Sequence, residues 1–184
     1  MVLHSRKLAL IANLASRNHQ DQSRFDQYVL DTLENQQIQV VLYKTVNLED
    51  LENAVKDCLE AEIKEFVAIG GDGSLHNLIN QLFAHTDDIA QIKLAIIPKG
   101  TGNDYIRNFN FKSKREIIES ILSEKYTQVD LGCLHYLDSQ HYFINMLGIG
   151  FSAAVVQNLV KYKWLGGLSY YFALIETFFR YQSQ

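Results

Sequence analysis

The run Gly70-Gly71-Asp72-Gly73-Ser74 follows the apolar stretch Phe66-Val67-Ala68-Ile69 and combines three glycines, a carboxylate and a hydroxyl. Glycines at this spacing let successive backbone N–H groups converge on an anion without interference from Cβ atoms. A helix opening at the turn adds the positive end of its dipole. Each charge-assisted hydrogen bond in such a nest contributes about 1.5–3 kcal/mol, so three or four of them hold a polyphosphate in water. Asp72 is the discordant group. A carboxylate inside an anion site repels phosphate unless a divalent cation lies between them or the carboxylate accepts a substrate proton. No Gly-Lys-Ser/Thr follows, so this is not a Walker A loop. Ser74 either caps the helix or gives its hydroxyl to a phosphate; the sequence leaves both open.

A second glycine turn, Gly100-Thr101-Gly102-Asn103-Asp104, stands behind the apolar run Lys93–Ile97 and Pro98. Thr101 offers a hydroxyl to a phosphate or ribose, and Asn103 an amide to a polar edge. Asp104 caps the following turn or joins Asp72 in a metal network. Lys99 reads as an exposed surface lysine rather than a phosphate counter-charge, and His76 as a solvated helix residue. Gly148-Ile149-Gly150-Phe151-Ser152-Ala153 matches a GxGxxA dinucleotide pattern. The residues around Glu176, where the pattern's acid would fall, are helical in character, so close backbone packing is the better reading. The aromatic run from Tyr162 to Tyr181 reads as interior packing, with contact to acyl chains or a bilayer face as the alternative.

These turns need rigid elements behind them. Lys7–Ala12, Ile38–Tyr43, Phe66–Ile69 and Lys93–Ile97 are short apolar runs that predict buried strands. Helical spacing follows each in turn: Phe25, Tyr28, Val29, Thr32 and Leu33; then Leu48, Leu51, Val55, Cys58 and Leu59; then Leu75, Leu78, Ile79, Leu82 and Phe83. Ser113-Lys114-Arg115-Glu116 is a capping box ahead of Ile117, Ile118, Ile121 and Leu122. Alternating strands and helices imply an α/β fold: a doubly wound, mostly parallel sheet flanked by helices, with ligands at the carboxyl ends of the strands. From about residue 127 the pattern changes to short strands, Thr127–Leu131, Leu134–Leu137 and Tyr142–Met146, with a partly helical remainder. The expected organisation is a nucleotide-binding α/β domain over residues 1–126 and the beginning of a second, mainly β domain over 127–184.

The net charge of −4 and pI near 5.8 argue against a nucleic-acid partner. Cys58 and Cys133 lie in no metal-binding cluster, so a disulfide framework or zinc site is not expected and a reducing compartment fits. The start, Met1 to Lys7, lacks the form of a signal peptide, and no apolar run reaches bilayer-spanning length. The expected location is cytoplasmic, including peripheral placement at the inner membrane face.

The pairing of Gly70-Gly71-Asp72-Gly73-Ser74-Leu75-His76-Asn77 with Pro98-Lys99-Gly100-Thr101-Gly102-Asn103-Asp104 resembles the two signature segments of the diacylglycerol kinase catalytic family. That superfamily also holds NAD kinases, sphingosine kinases and phosphofructokinases. Val129-Asp130-Leu131-Gly132 and Phe143-Ile144-Asn145-Met146-Leu147-Gly148-Ile149-Gly150-Phe151 are similar to further family positions. The resemblance implies ATP and Mg2+ as cofactors and transfer of the γ-phosphoryl group to a lipid alcohol, most simply diacylglycerol to phosphatidic acid. It also implies transient contact with a membrane surface and is compatible with a homodimer. By position it implies that Asn13, Thr45, Gly70, Gly71, Asp72, Gly73, Ser74, Gly100, Thr101, Gly102 and Asn103 hold nucleotide. Asp72, Asp104 and Asp130 form the catalytic acidic set, with Asp72 and Asp104 toward the metal. The chain departs from the pattern at Asn13-Leu14-Ala15-Ser16-Arg17, where the family's proline and glycine are absent, and the family's distal glutamate has no counterpart here. The alternatives are an NAD kinase or phosphofructokinase-like enzyme, and a nucleotide-binding fragment without turnover.

Overall fold

The computed structural model describes residues 6–14, 19–99 and 102–181, without the side chains of residues 19–23, 25, 26 and 163. Residues 1–5, the loop residues Ala15–Arg17, the Phe25 side chain, Gly100 and Thr101 therefore lie outside the description. Four strands, β1 (Lys7–Asn13), β2 (Gln39–Thr45), β3 (Glu65–Gly70) and β4 (Lys93–Pro98), form a parallel sheet in the order β2-β1-β3-β4. Every residue of β3 is buried, which explains its unbroken apolar sequence: a central parallel strand is covered on both faces.

Helices α1 (His19–Glu34), α2 (Leu48–Glu60), α3 (Asp72–His85) and α4 (Lys114–Leu122) supply that cover. Alternate strand residues part to opposite faces. Leu8, Leu10, Val67 and Ile69 pack with Leu33 of α1 and Ile118 of α4. Ala9, Ile11, Phe66 and Ala68 pack with Val55 of α2 and Leu78 of α3. The doubly wound arrangement thus follows from the period of two in the strands and the apolar faces of the helices. The capping box forms in modified shape. Ser113 Oγ accepts from the Glu116 N–H at 3.3 Å, while the Glu116 carboxylate accepts from the Lys112 N–H at 2.9 Å, one residue earlier than the standard pattern.

Two expectations after α4 need correction. Thr127–Leu131 is not a strand: it has no ladder partner among the described residues, and residues 127–130 are exposed. The two later strands become one antiparallel hairpin, β5 (Gly132–Tyr136) and β6 (Ser139–Phe143). The two-residue turn Leu137-Asp138, with Leu137 at φ 51°, pairs Tyr136 with Ser139 and so ends the ladder before Ile144. The hairpin docks on α3 through Asn80, whose amide donates to the Tyr142 carbonyl and accepts from the Tyr142 N–H, both at 2.9 Å. Phe83 stacks on Tyr142 beside it.

The chain divides into two compact units, Met1–Asn145 and Met146–Gln184. In the second, α5 (Phe151–Tyr162) and α6 (Ser169–Arg180) are joined by a 3-10 turn at Lys163–Leu168. Asn158 Nδ2 donates to Thr177 Oγ1 at 2.9 Å between the helices. The glycines of the GxGxxA stretch serve close packing. A Cβ at Gly148 would stand 2.8 Å from Ser152 Oγ, and Gly150 has φ +70°. The aromatic run is not interior: Trp164, Phe178 and Phe179 are 77%, 70% and 80% exposed. Two helices share a single contact face, here centred on Val155, Ala173 and Thr177, and the remaining apolar residues have none to fill. No helix among the described residues is long and apolar enough to cross a membrane.

A charge network fastens the amino ends of the strands. Arg6 donates from Nε and Nη2 to Glu65 Oε2 at 2.9 and 2.6 Å, and from Nη2 to the Ile121 carbonyl at 2.8 Å. The Tyr126 hydroxyl donates to the same Glu65 oxygen at 2.9 Å, and Lys93 reaches Oε1 at 3.2 Å. Burial alone would push the Glu65 carboxyl up; the bonds from Arg6 and Tyr126, the Arg6 charge and Lys93 outweigh it and hold the pKa below the ordinary 4.5. A depressed carboxylate stabilises the fold above its unfolded pKa, and this contribution is lost as pH falls below about 4.5. Glu65→Ala is expected to cost about 3 kcal/mol in urea unfolding at pH 7, because it strands Arg6. Glu65→Gln is expected to flatten the acid limb of stability against pH.

Candidate active site

Polar residues gather where β1, β2 and β3 end. Asn13 stands in register with the buried Thr45, whose carbonyl accepts from the Leu14 N–H at 2.8 Å. Asn13 Nδ2 donates to Ser74 Oγ at 2.8 Å. Asn13, Thr45 and Ser74 line one pocket of about 140 Å3, floored by Ile11 and Ala68. Asn77 lines it too; it closes the first quoted signature segment without a role of its own assigned there, and stands one helical turn after Ser74.

The first glycine turn is tight for a steric reason. A Cβ on Gly70 would come within 2.6 Å of Ser74 Cβ, so glycine alone lets α3 begin this close to the end of β3. The Gly70 carbonyl also accepts from the Lys99 N–H at 2.7 Å, tying the two glycine segments together through backbone. Gly71 is the N-cap residue of α3 and brings no side-chain acceptor, and the space where a Cβ on Gly73 would lie is open. The Gly71 carbonyl accepts from the N–H groups of Ser74 and Leu75. Ser74 is thus the third helical residue and not a cap. This uncapped first turn, next to an open glycine surface and a hydroxyl, is the arrangement that suits a phosphate.

Asp72 opens the helix and joins the second turn to it. Its Oδ2 accepts from the Asp104 N–H and its Oδ1 from the Tyr105 N–H, both at 2.9 Å; Asn145 Nδ2 donates to Oδ1 at 3.2 Å. Partial burial would raise the Asp72 pKa; the Tyr105 and Asp104 backbone bonds and the Asn145 amide outweigh it and hold the carboxyl below its usual 3.8. Asn145 has no role assigned by sequence beyond its place in a quoted segment, and its 73-residue separation from Asp72 hides the contact from any local pattern.

Gly102 lies between two carboxylates: a Cβ there would stand 3.4 Å from Asp72 Oδ2 and 3.5 Å from Asp104 Oδ2. Asp104 Oδ1 accepts from Arg107 at 2.9 Å, and Asn103 takes the left-handed conformation at φ 52°. Gly100 and Thr101 lie outside the described residues. Asp130 is exposed, and the described residues include no group of three His, Cys, Asp or Glu side chains placed to hold a metal. The structure therefore brings Asp72 and Asp104 together at Gly102, while Asp130 stands exposed in the segment between α4 and β5. Lys99 also departs from expectation: the residue is half-buried and its Nζ is buried. His76 is exposed on α3.

The fold and site define an α/β protein of the open parallel-sheet class, with its polar groups in the crevice at the strands' carboxyl ends. The family profile described as the diacylglycerol kinase catalytic domain matches residues 7–134, and the chain belongs to that family. It is 32% identical over 120 residues to YtlR of Bacillus subtilis, a protein provisionally named a lipid kinase, covering 62% of this chain and 37% of that protein. It is 33% identical over 110 residues to a diacylglycerol kinase of Mycobacterium tuberculosis (strain H37Rv), covering 58% of this chain and 34% of the relative. The chain thus spans well under half the length of these curated relatives. The crystal structure of a diacylglycerol kinase from Bacillus anthracis shares the fold at a TM-score of 0.65 and 23% identity, over 92% of this chain and 54% of that one.

Gly70→Ala forces Ser74, and with it the start of α3, away from β3. The expected result is a loss of about 1–3 kcal/mol in stability with the sheet retained, read by thermal unfolding and circular dichroism.

Proposed function

We propose that this chain forms the nucleotide-binding part of a lipid kinase that transfers the γ-phosphoryl group of ATP to the hydroxyl of diacylglycerol, giving phosphatidic acid. The observation that supports it best is the anchoring of the second glycine segment to the first turn of α3 by the Asp72 carboxylate. This sets two glycine-bearing segments side by side at one anion-binding helix end. In this reading the division at 126/127 separates the nucleotide domain from a lipid-facing domain. The protein acts in the cytoplasm, transiently at the inner membrane face.

The residues present fit the cofactors in kind. Gly70, Gly71, Gly73 and the first turn of α3 would hold phosphate oxygens, Ser74 would add a hydroxyl, and Asn13 and Thr45 would line the adjoining pocket. Gly100, Thr101, Gly102 and Asn103 would close the other side. Magnesium is often bound through one or two carboxylates with phosphate oxygens completing its shell, and Asp104 beside Asp72 suits that role. ATP supplies the phosphoryl group, and Mg2+ neutralises charge as it moves. The protein's own part is positioning. Asp72 spends its oxygens on three N–H donors, so it fixes the spacing of the two segments while adding negative charge toward the metal. Transfer of this kind depends mainly on such placement and on preorganised charge.

Labelled ATP and Mg2+ with diacylglycerol, sphingosine, NAD and fructose 6-phosphate provide the test. Label in diacylglycerol is the expected outcome. Label only in NAD or sugar would reject the lipid reading, and nucleotide binding without transfer to any acceptor would identify a binder without turnover. Asp72→Asn is expected to lower transfer at least about a hundredfold with the circular dichroism spectrum retained. Undiminished turnover would remove Asp72 from the mechanism.

A further inference from the structure

Among the described residues β4 is the last strand of the sheet, paired only on its β3 side. Lys93 and Lys99 both donate their N–H groups to that side, to the carbonyls of Lys64 at 2.8 Å and Gly70 at 2.7 Å. Backbone groups alternate in direction along a strand, so Leu94 and Ile96 turn their N–H and C=O groups the opposite way. Pro98, next in that series, has no N–H to offer, as an edge position permits. These backbone groups do not face a flat surface. They face a groove of about 940 Å3, walled by Leu75 and Ile79 of α3 on one side and by Ile106, Ile117 and Ile121 on the other. Thr127–Leu131, the stretch with strand character but no ladder, lines the same groove.

We propose that this groove is a slot for an apolar β-strand of about six residues, supplied by polypeptide outside these 184 residues, which joins the sheet as the neighbour of β4. The length agrees: a strand paired along the six residues of β4 would be about 20 Å long. The chemistry selects a strand over a lipid chain. An acyl chain would fill the volume but leave the N–H and C=O groups of Leu94 and Ile96 buried without partners, whereas a strand satisfies them. Covered on both faces, the strand would be a continuous Val, Ile or Leu run without proline at bonding positions. A source exists in the family fold, since the matched Bacillus anthracis structure has 46% of its length outside the match, the remainder of the 54% covered.

The test titrates the 184-residue chain with a peptide of six Val, Ile and Leu residues flanked by lysines, and with the same peptide N-methylated at alternate backbone positions. Amide hydrogen exchange is followed by NMR. Saturable binding of the plain peptide is expected, with exchange at Leu94 and Ile96 slowed at least about tenfold and binding by the methylated peptide at least about tenfold weaker. Equal binding of the two peptides, or no binding of either, would overturn the proposal. So would oleate that excludes the peptide, or protection of Leu94 and Ile96 that grows with protein concentration alone and marks self-association.

Discussion

A carboxylate at the first position of a helix is favoured by the helix dipole, and Asp72 turns that local preference into a long-range constraint. Its oxygens accept from Asp104, Tyr105 and Asn145, so residues 32, 33 and 73 positions away are held to one point at the start of α3. The backbone bond from the Lys99 N–H to the Gly70 carbonyl is a second tie between the same two segments. The carboxyl edge of the sheet therefore owes its shape to a charge that, taken alone, would repel the phosphate such an edge suits. The bonds resolve the conflict in part, because each N–H donor disperses negative charge from the carboxylate.

The opposite edge of the sheet is governed by a different balance. There Glu65 is nearly buried and gathers Arg6, Lys93 and Tyr126, and Arg6 also reaches the last carbonyls of α4. That contact offsets the negative end of the α4 dipole and fixes where the chain leaves the helix. The two edges divide the work. The amino edge sets the position of α4 and of the chain entering Thr127–Leu131, and the carboxyl edge sets the spacing of the glycine segments.

Strands and helices were legible wherever burial imposes a period. The run Phe66–Ile69 and the spacing of Leu75, Leu78, Ile79 and Leu82 could form little else, and the close pairing of Gly70 with Ser74 explains why glycine stands there. Ser74 as hydroxyl or cap was undecided in the sequence because the choice depends on Asn13, 61 residues away. Asn145, Arg6 and Glu65 were silent for the same reason. Thr127–Leu131 shows the converse: alternating Thr127, Val129 and Leu131 give a strand its side chains, but a strand exists only beside a partner. The aromatic run was misread because apolar composition reports a need for cover and not the cover itself.

The bond between Asn13 and Ser74 fixes more than a distance. Because Ser74 Oγ accepts from the Asn13 amide, its own hydroxyl proton is left to donate. The Oγ also keeps a second lone pair, so the serine meets an incoming group as donor and acceptor at once. What the Asn13 amide removes is rotational choice: with one direction around the oxygen already taken, the two that remain are set by the end of β1 and not by the serine alone.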